Sequence, residues 1–328
     1  MHDPTVDPAI EIRFTENDAK AELLKDVTEG LTAQRKQLPP KWRWDSEGSA
    51  IFERITRTPE YYPFRIEREL LRTSAQDIAK HAKVETLVEL GSGSSEKTRL
   101  LLDAYAEIGS PVRTFVPFDV SYSALHEATV QLARDYPELA IHGVVADFSQ
   151  DLAPVSVGDG PRLVAFLGGT IGNLPPAERA GFLTTLHEVL APGDLLLIGA
   201  GQVTDPEVIL AAYDDPAGVA TEFNRNVLHM LNRSVAADFD PMSFDHVVRW
   251  NDTENRMEGF LRATKPMTVK LAGLDLEVHF SADEHFRTDI SAKFHKDDFS
   301  RELADAGFEP RKWWTDSEDL FMLGLSSR

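Results

Sequence analysis

The middle of the chain alternates between two periodicities, and that alternation leaves very few folds open to it. Apolar, strand-like runs occur at ETLVELG (85–91), RTFVPFDV (113–120), IHGVVADF (141–148), RLVAFLGG (162–169) and DLLLIGAG (194–201). Between most of them lie stretches with helical spacing: KTRLLLDAYAE, SALHEATVQLARDY and AERAGFLTTLHEVL. Strands alternating with helices predict a parallel sheet covered on both faces, since near-continuous apolar strands need burial on each side. Ala191-Pro192-Gly193-Asp194 reads as a turn that re-enters this sheet.

The flanks follow other patterns. The first dozen residues, rich in Asp and Pro, are expected to have little fixed structure. Residues 17–33 place Leu23, Leu24, Val27 and Leu31 at helical spacing, and the helix must stop before Pro39-Pro40. After residue 201, a helical stretch (205–235) gives way to VVRWN, MEGFLRA, TVKLAGLDLEVHF and DISAKF, which read as antiparallel strands. The tail is a helix, KDDFSRELADAG, then the strand pair EPRKWWTD and LFMLGLS. The expected class is α/β: a doubly wound sheet of residues 76–201 plus 291–328, completed by the C-terminal hairpin. A discontinuous α+β domain of residues 1–75 plus 202–290 would accompany it.

Composition narrows the function. The chain has no Cys, which excludes disulfides and thiolate chemistry. It has no apolar run of roughly 18 residues, the length a membrane span needs, and Met1-His2-Asp3-Pro4 does not begin a secretory signal. A cytoplasmic setting is expected. The net charge of −20, from 34 basic and 54 acidic residues, repels phosphate backbones and favours a small-molecule partner over nucleic acid. The ten His residues show no metal-ligand spacing, so no metal site is expected. The oligomeric state stays open, a monomer being compatible.

In a doubly wound sheet, ligands bind at the carboxyl ends of strands beside the switch point. The first strand ends in Glu89-Leu90-Gly91-Ser92-Gly93-Ser94 and runs into a helix carrying Lys97. Asp119 ends the second strand, where a carboxylate accepts from ribose hydroxyls. Asp147 and Phe148 end the third, offering an acceptor for an adenine edge and a ring for its face. NAD also uses such scaffolds, but GSGSSE lacks the third Gly of its fingerprint. A sulfonium nucleoside is cationic and carries no pyrophosphate, so acids around it are favourable. S-adenosylmethionine is therefore the expected cofactor, with Lys97 meeting its carboxylate.

Five segments then carry a resemblance: LPPKWxxDxxGSxxFxxITxxPEYYPxRxExxxL, VELGSGSSEKTR, FLGGTIGNL, AYDDxAGVxxxFNRNVL and ISAKF. Over roughly residues 17–328 the chain resembles the histidine-specific methyltransferases of ergothioneine biosynthesis. The resemblance implies transfer of three methyl groups from S-adenosylmethionine to the α-nitrogen of L-histidine, giving its betaine. It places Gly91, Lys97, Asp119, Asp147 and Phe148 against the cofactor. It places Tyr61, Asn173 and Tyr213 on the amino acid's α-amino and carboxylate groups, with Asn173 and Tyr61 nearest the chemistry. Asp289 and Ser291 would meet the side chain. In isolation each has a bland reading: Tyr61 as a packed aromatic, Asn173 as a turn or cap before Pro175, Tyr213 as a helix end.

The chain departs from the family around the side chain. Trp44 stands where the family's KWFYD has Tyr, Gly259 where it usually has Met, Asp289 where it has Glu, and Gly199-Ala200-Gly201 where it commonly reads GTD. Gly259 and Asp289 together are expected to open space and Trp44 to offer a flat indole face in place of a phenol donor, which suggests a bulkier acceptor such as tryptophan as the alternative to histidine. Two readings of other classes are a non-catalytic cofactor-binding protein and an NAD oxidoreductase.

Overall fold

The computed structural model describes residues 9–148, 150–152 and 160–328. In chain order the elements are β1 (Ala9–Ile12), α1 (Glu16–Thr32), α2 (Ser46–Ile55), α3 (Tyr62–His81), β2 (Thr86–Leu90), α4 (Glu96–Glu107), β3 (Thr114–Asp119) and α5 (Tyr122–Asp135). They continue with β4 (Ala140–Val145), β5 (Arg162–Phe166), α6 (Pro176–Val189), β6 (Leu195–Gly201), α7 (Pro206–Tyr213), α8 (Val219–Ser234) and β7 (Phe244–Asn251). Last come β8 (Arg256–Ala263), β9 (Met267–Leu271), β10 (Leu276–Phe280), β11 (His285–Ala292), α9 (Lys296–Asp305), β12 (Glu309–Thr315) and β13 (Phe321–Ser327). These elements form two compact units: the described residues of Met1–Thr15, Ile66–Gln202 and Phe294–Arg328, and Glu16–Arg65 with Val203–Lys293.

The first unit is built on one eight-stranded sheet of order β1-β4-β3-β2-β5-β6-β13-β12. Strands β1 to β6 are parallel, while β13 runs antiparallel to β6 and pairs with β12. The order reverses between β2 and β5, so the switch point lies where β2 ends in Leu90. Leu87, Leu101, Tyr105, Phe115, Leu163 and Leu197 are fully buried in the layer between sheet and helices. Five central strands, the helices between them and the closing hairpin all agree with the patterning. The N-terminus does not. Ala9–Ile12, expected to be unstructured, forms edge strand β1, in register with His142–Val145 of β4; residues 1–8 lie outside the described residues.

The second unit holds a three-stranded antiparallel sheet, β11-β8-β7, and the hairpin β9–β10. TVKLAGLDLEVHF is therefore two strands around one turn at Ala272–Leu274. The helical stretch at 205–235 is also two elements. It breaks at the left-handed Gly218, and Asp215 turns its carboxylate onto the backbone N–H groups of Val219 and Ala220 in the first turn of α8. Leu23, Val27 and Leu31 of α1 pack with Val227, Leu228, Phe244, Leu261 and Phe286 in this unit's core. Helices α2 and α3 were not apparent from the sequence. Asp45 caps α2 through the N–H of Gly48 at 2.8 Å, and Pro63 falls in the first turn of α3, where its missing N–H has no helical partner to lose. No helix among the described residues is long and apolar enough to cross a membrane.

Candidate functional site

The loop after β2 is built to let a ligand approach the backbone. Gly91 and Gly93 adopt left-handed φ of 71° and 49°, and Gly93 has nothing within 4 Å of where a Cβ would stand. Ser92 and Ser95 are buried, and their hydroxyls have no hydrogen-bond partner among the described residues. Asp119, at the end of β3, accepts from Gly93 N at 3.0 Å and Ser121 N at 2.9 Å, which ties its carboxylate to this loop. Burial raises its pKa, and those N–H donors oppose the rise. Asp147 is 6% exposed. Phe148 stands 3.6 Å from the Gly91 Cβ position, and its ring meets Phe166 and Phe182 edge-on. Orphaned hydroxyls around an open glycine backbone, flanked by two carboxylates and an aromatic ring, fit an adenosine with a cationic sulfur.

Lys97 is anchored by a residue that sequence reasoning missed. Its ammonium lies 2.5 Å from one oxygen of Glu67, while the other oxygen accepts from Gly168 N at 2.7 Å. The Glu67 side chain is 1% exposed. It passes so close to β6 that a Cβ on Gly199 would stand 2.4 Å from its carboxylate, which gives that glycine a physical reason. The signal was present, because PEYYPxRxE fixes both Glu67 and Arg65. Asn173, half-buried in the same unit, ends a 3₁₀ turn (Thr170–Asn173) after two left-handed glycines, Gly168 and Gly169. The cap position of α6 belongs to Pro175, so Asn173 is not its cap.

In the second unit, the remaining candidates are brought together. Trp44 meets Phe52 edge-on at 4.6 Å and Phe223 at 5.4 Å, Phe52 meets Tyr61 at 5.6 Å, and Tyr61 meets Tyr213 at 5.9 Å. The Tyr213 hydroxyl donates to Ser291 Oγ at 2.8 Å. Lys293, not foreseen, donates to both, at 3.0 Å to Tyr213 and 2.9 Å to Ser291. Burial holds the Lys293 ammonium below its ordinary pKa and pushes the Tyr213 hydroxyl above its own.

Several motif residues hold this cluster in place. Arg65 donates to the carbonyls of Thr58, Pro59 and Tyr61, fixing the loop that presents Tyr61. Asn224 donates to His246 Nδ1 at 2.8 Å, so the proton sits on Nε2 and donates to the Tyr213 carbonyl at 2.9 Å. Burial lowers the His246 pKa, which favours this neutral form.

The opening expected at Gly259 is not there. Gly259 faces Asp289 across the β8–β11 ladder, and a Cβ on it would stand 2.8 Å from the Asp289 Cβ. Asp289 in turn accepts from Arg43 Nη2 at 2.5 Å, with both side chains under a tenth exposed. The Asp289 side chain therefore stands against the Gly259 position, and Arg43 is paired with its carboxylate.

Comparisons with known proteins identify the family. A family model described as histidine-specific methyltransferase, SAM-dependent, matches residues 23–328. The histidine N-alpha-methyltransferase of Mycolicibacterium smegmatis is 49% identical over 312 residues, 95% of this chain and 97% of that protein. Its counterpart from Mycobacterium tuberculosis is 48% identical over 306 residues, 93% and 95% of the two chains. The 4-dimethylallyltryptophan N-methyltransferase of Claviceps purpurea is 25% identical over 337 residues, 94% and 95%. On the strength of a match spanning both units, this chain belongs to the histidine-specific, S-adenosylmethionine-dependent methyltransferase family.

Proposed function

We propose that the protein methylates the α-amino nitrogen of L-histidine, using S-adenosylmethionine, in the cytosol. The observation that carries this reading is the 49% identity, over nearly the whole of both chains, to a protein named for that reaction. When bound, S-adenosylmethionine supplies an electrophilic methyl group on a sulfonium. In this reading Asp119 holds its ribose, Asp147 and Phe148 its adenine, and the Gly91 loop and Lys97 its amino-acid end.

The rest is the work of the chain's own residues on the acceptor. Tyr61, Tyr213 and Asn173 are assigned to the α-carboxylate and α-amino groups, with Asn173 and Tyr61 orienting the nitrogen lone pair. Orientation of this kind supplies most of what a methyl transfer needs. The α-ammonium must first lose a proton to water; the Asp289 carboxylate is already paired with Arg43. The Lys293 charge, one hydrogen bond from Tyr213, favours that loss by disfavouring a second cation beside it.

The alternative acceptor, tryptophan, rests on Trp44, Gly259 and Asp289, and the contact of Asp289 with the Gly259 position and with Arg43 speaks against the added room expected at the last two. Mass spectrometry of the product formed from an equimolar amino-acid mixture tests the proposal. Histidine gaining one to three methyl units is the expected result, and a methylated tryptophan with unmodified histidine would overturn it.

A further inference from the structure

Arg43 has no role in the chemistry described so far, yet it is a charged side chain placed among the residues assigned to the acceptor. It is 5% exposed, stacks over the Phe223 ring at 4.7 Å and donates through Nη2 to Asp289. Its Nε is buried and has no hydrogen-bond partner among the described residues. A buried guanidinium donor left unsatisfied destabilises the fold unless something accepts from it. The surroundings say where that acceptor would come from. Asp289 and Ser291 lie two apart on β11 and share a face, Ser291 accepts from Tyr213, and Phe223 also meets Trp44. Arg43 therefore borders the cluster that holds the amino acid.

We propose that Arg43 is a specificity-determining residue, and that the Arg43–Asp289 pair reads the acceptor's side chain as a neutral imidazole. The pair presents one donor, the guanidinium, beside one acceptor, the carboxylate. A neutral imidazole carries one N–H and one lone-pair nitrogen, so it satisfies both. An indole has an N–H alone and leaves the Arg43 donor orphaned, and a phenyl ring satisfies neither group. An imidazolium offers two donors and a positive charge against Arg43. A site whose buried polar groups stay unpaired rejects the wrong ligand far more strongly than a change of volume does. The guanidinium thus makes the surroundings of Asp289 a polar, paired environment in place of an apolar one.

This inference rests on the proposed histidine reaction, and the experiment separates the two. Wild-type enzyme is assayed with L-histidine, its two ring-N-methyl isomers and L-tryptophan, followed by S-adenosylhomocysteine release. Absence of histidine turnover would overturn the reaction itself, and the inference with it. With histidine turnover established, Arg43→Leu is expected to lower its kcat/KM about 100-fold while leaving tryptophan unchanged or improved. Both ring-methylated isomers should react at least tenfold more slowly than histidine, since each has lost the N–H that Asp289 accepts. Because Arg43→Leu strands a buried carboxylate, the double variant Arg43→Leu/Asp289→Asn is measured in parallel with a thermal melt of each. A folded double variant that keeps the wild-type preference for histidine over tryptophan would sink the proposal, as would wild-type rates on the ring-methylated isomers equal to that on histidine.

Discussion

The Lys293 ammonium donates to the Tyr213 hydroxyl across 3.0 Å, and both bond the same Ser291 oxygen. Two donors on one hydroxyl leave Ser291 its own proton to give, so the trio is polarised toward whatever Tyr213 and Ser291 hold. A cation in that place lowers the pKa of a neighbouring amine. Lys293→Met is expected to cut kcat/KM for histidine about 100-fold and, because the affected amine is that of bound histidine, to move the acid limb of the kcat profile up by about one unit. Lys293→Arg keeps the charge and should restore the position of the limb, with only part of the rate. A methionine variant with reduced rate but an unmoved limb would assign Lys293 to packing alone.

Glu67 is the second residue to test. Replacing it with Gln keeps an acceptor for Gly168 N but removes the charge opposite Lys97. Breaking a buried pair from one side destabilises by about 3 kcal/mol, because the other charge stays behind. Glu67→Gln should therefore lower the melting temperature and weaken S-adenosylmethionine binding at least tenfold by calorimetry. Glu67→Gln/Lys97→Met should recover much of the stability while binding stays weak. Equal losses in the single and double variants would mean the two side chains are uncoupled.

These residues show what the sequence does and does not disclose. The strands of the large sheet are legible because each is a short apolar run, and burial on two faces permits little else. Strand β1 is not, since AIEI after a run of Asp and Pro has no periodicity to read and only its pairing with β4 makes it a strand. Glu67 sits between Arg65 and Arg68 and looks like a solvated helix face. Its meaning comes from Lys97, 30 positions on, and Gly168, 101 positions on. The volume argument at Gly259 failed for the same reason. It counted atoms lost at one position, while the side chain that stands against that position, Asp289, is held by Arg43, 246 positions away.

Asp45 joins two motif segments, and Arg233 beyond them, in one carboxylate. It caps α2 through Gly48 N, accepts from Asn226 of α8 at 2.7 Å, and pairs with Arg233 at 2.5 Å. Loss of a cap is worth ~1 kcal/mol, and a hydrogen bond to a charged group adds roughly 1.5. The exposed Arg233 contributes little. Asp45→Ala should thus lower unfolding stability by about 2–3 kcal/mol in urea titrations, whereas Asp45→Asn, which still caps, should lose less than half of that. An alanine variant as stable as wild type would show that the cap and the Asn226 bond are individually dispensable.

Glu89 gives the pH dependence a definite sign. Burial pushes its carboxyl up to about 7 from an ordinary 4.5, against the opposing hydroxyl of Thr98 and the charge of Lys97, with the carboxylates of Glu67 and Asp119 adding to the rise. Between those two values the folded chain holds a proton at this site that the unfolded chain has released. The folded state is then favoured by acid at this residue: the contribution is complete below about pH 4.5 and lost as pH rises through about 7. The full span corresponds to roughly 3 kcal/mol. Other carboxylates titrate in the same range, so the informative quantity is the difference between wild type and Glu89→Gln. That difference should favour the glutamine variant increasingly from pH 5 to pH 8 in urea-unfolding measurements. A cationic donor bound beside Glu89 favours its ionised form, so S-adenosylmethionine should bind wild type more tightly, with proton release, as pH rises through 7. Glu89→Gln should abolish that proton release. A pH-independent stability difference between the two proteins would place the titrating group elsewhere.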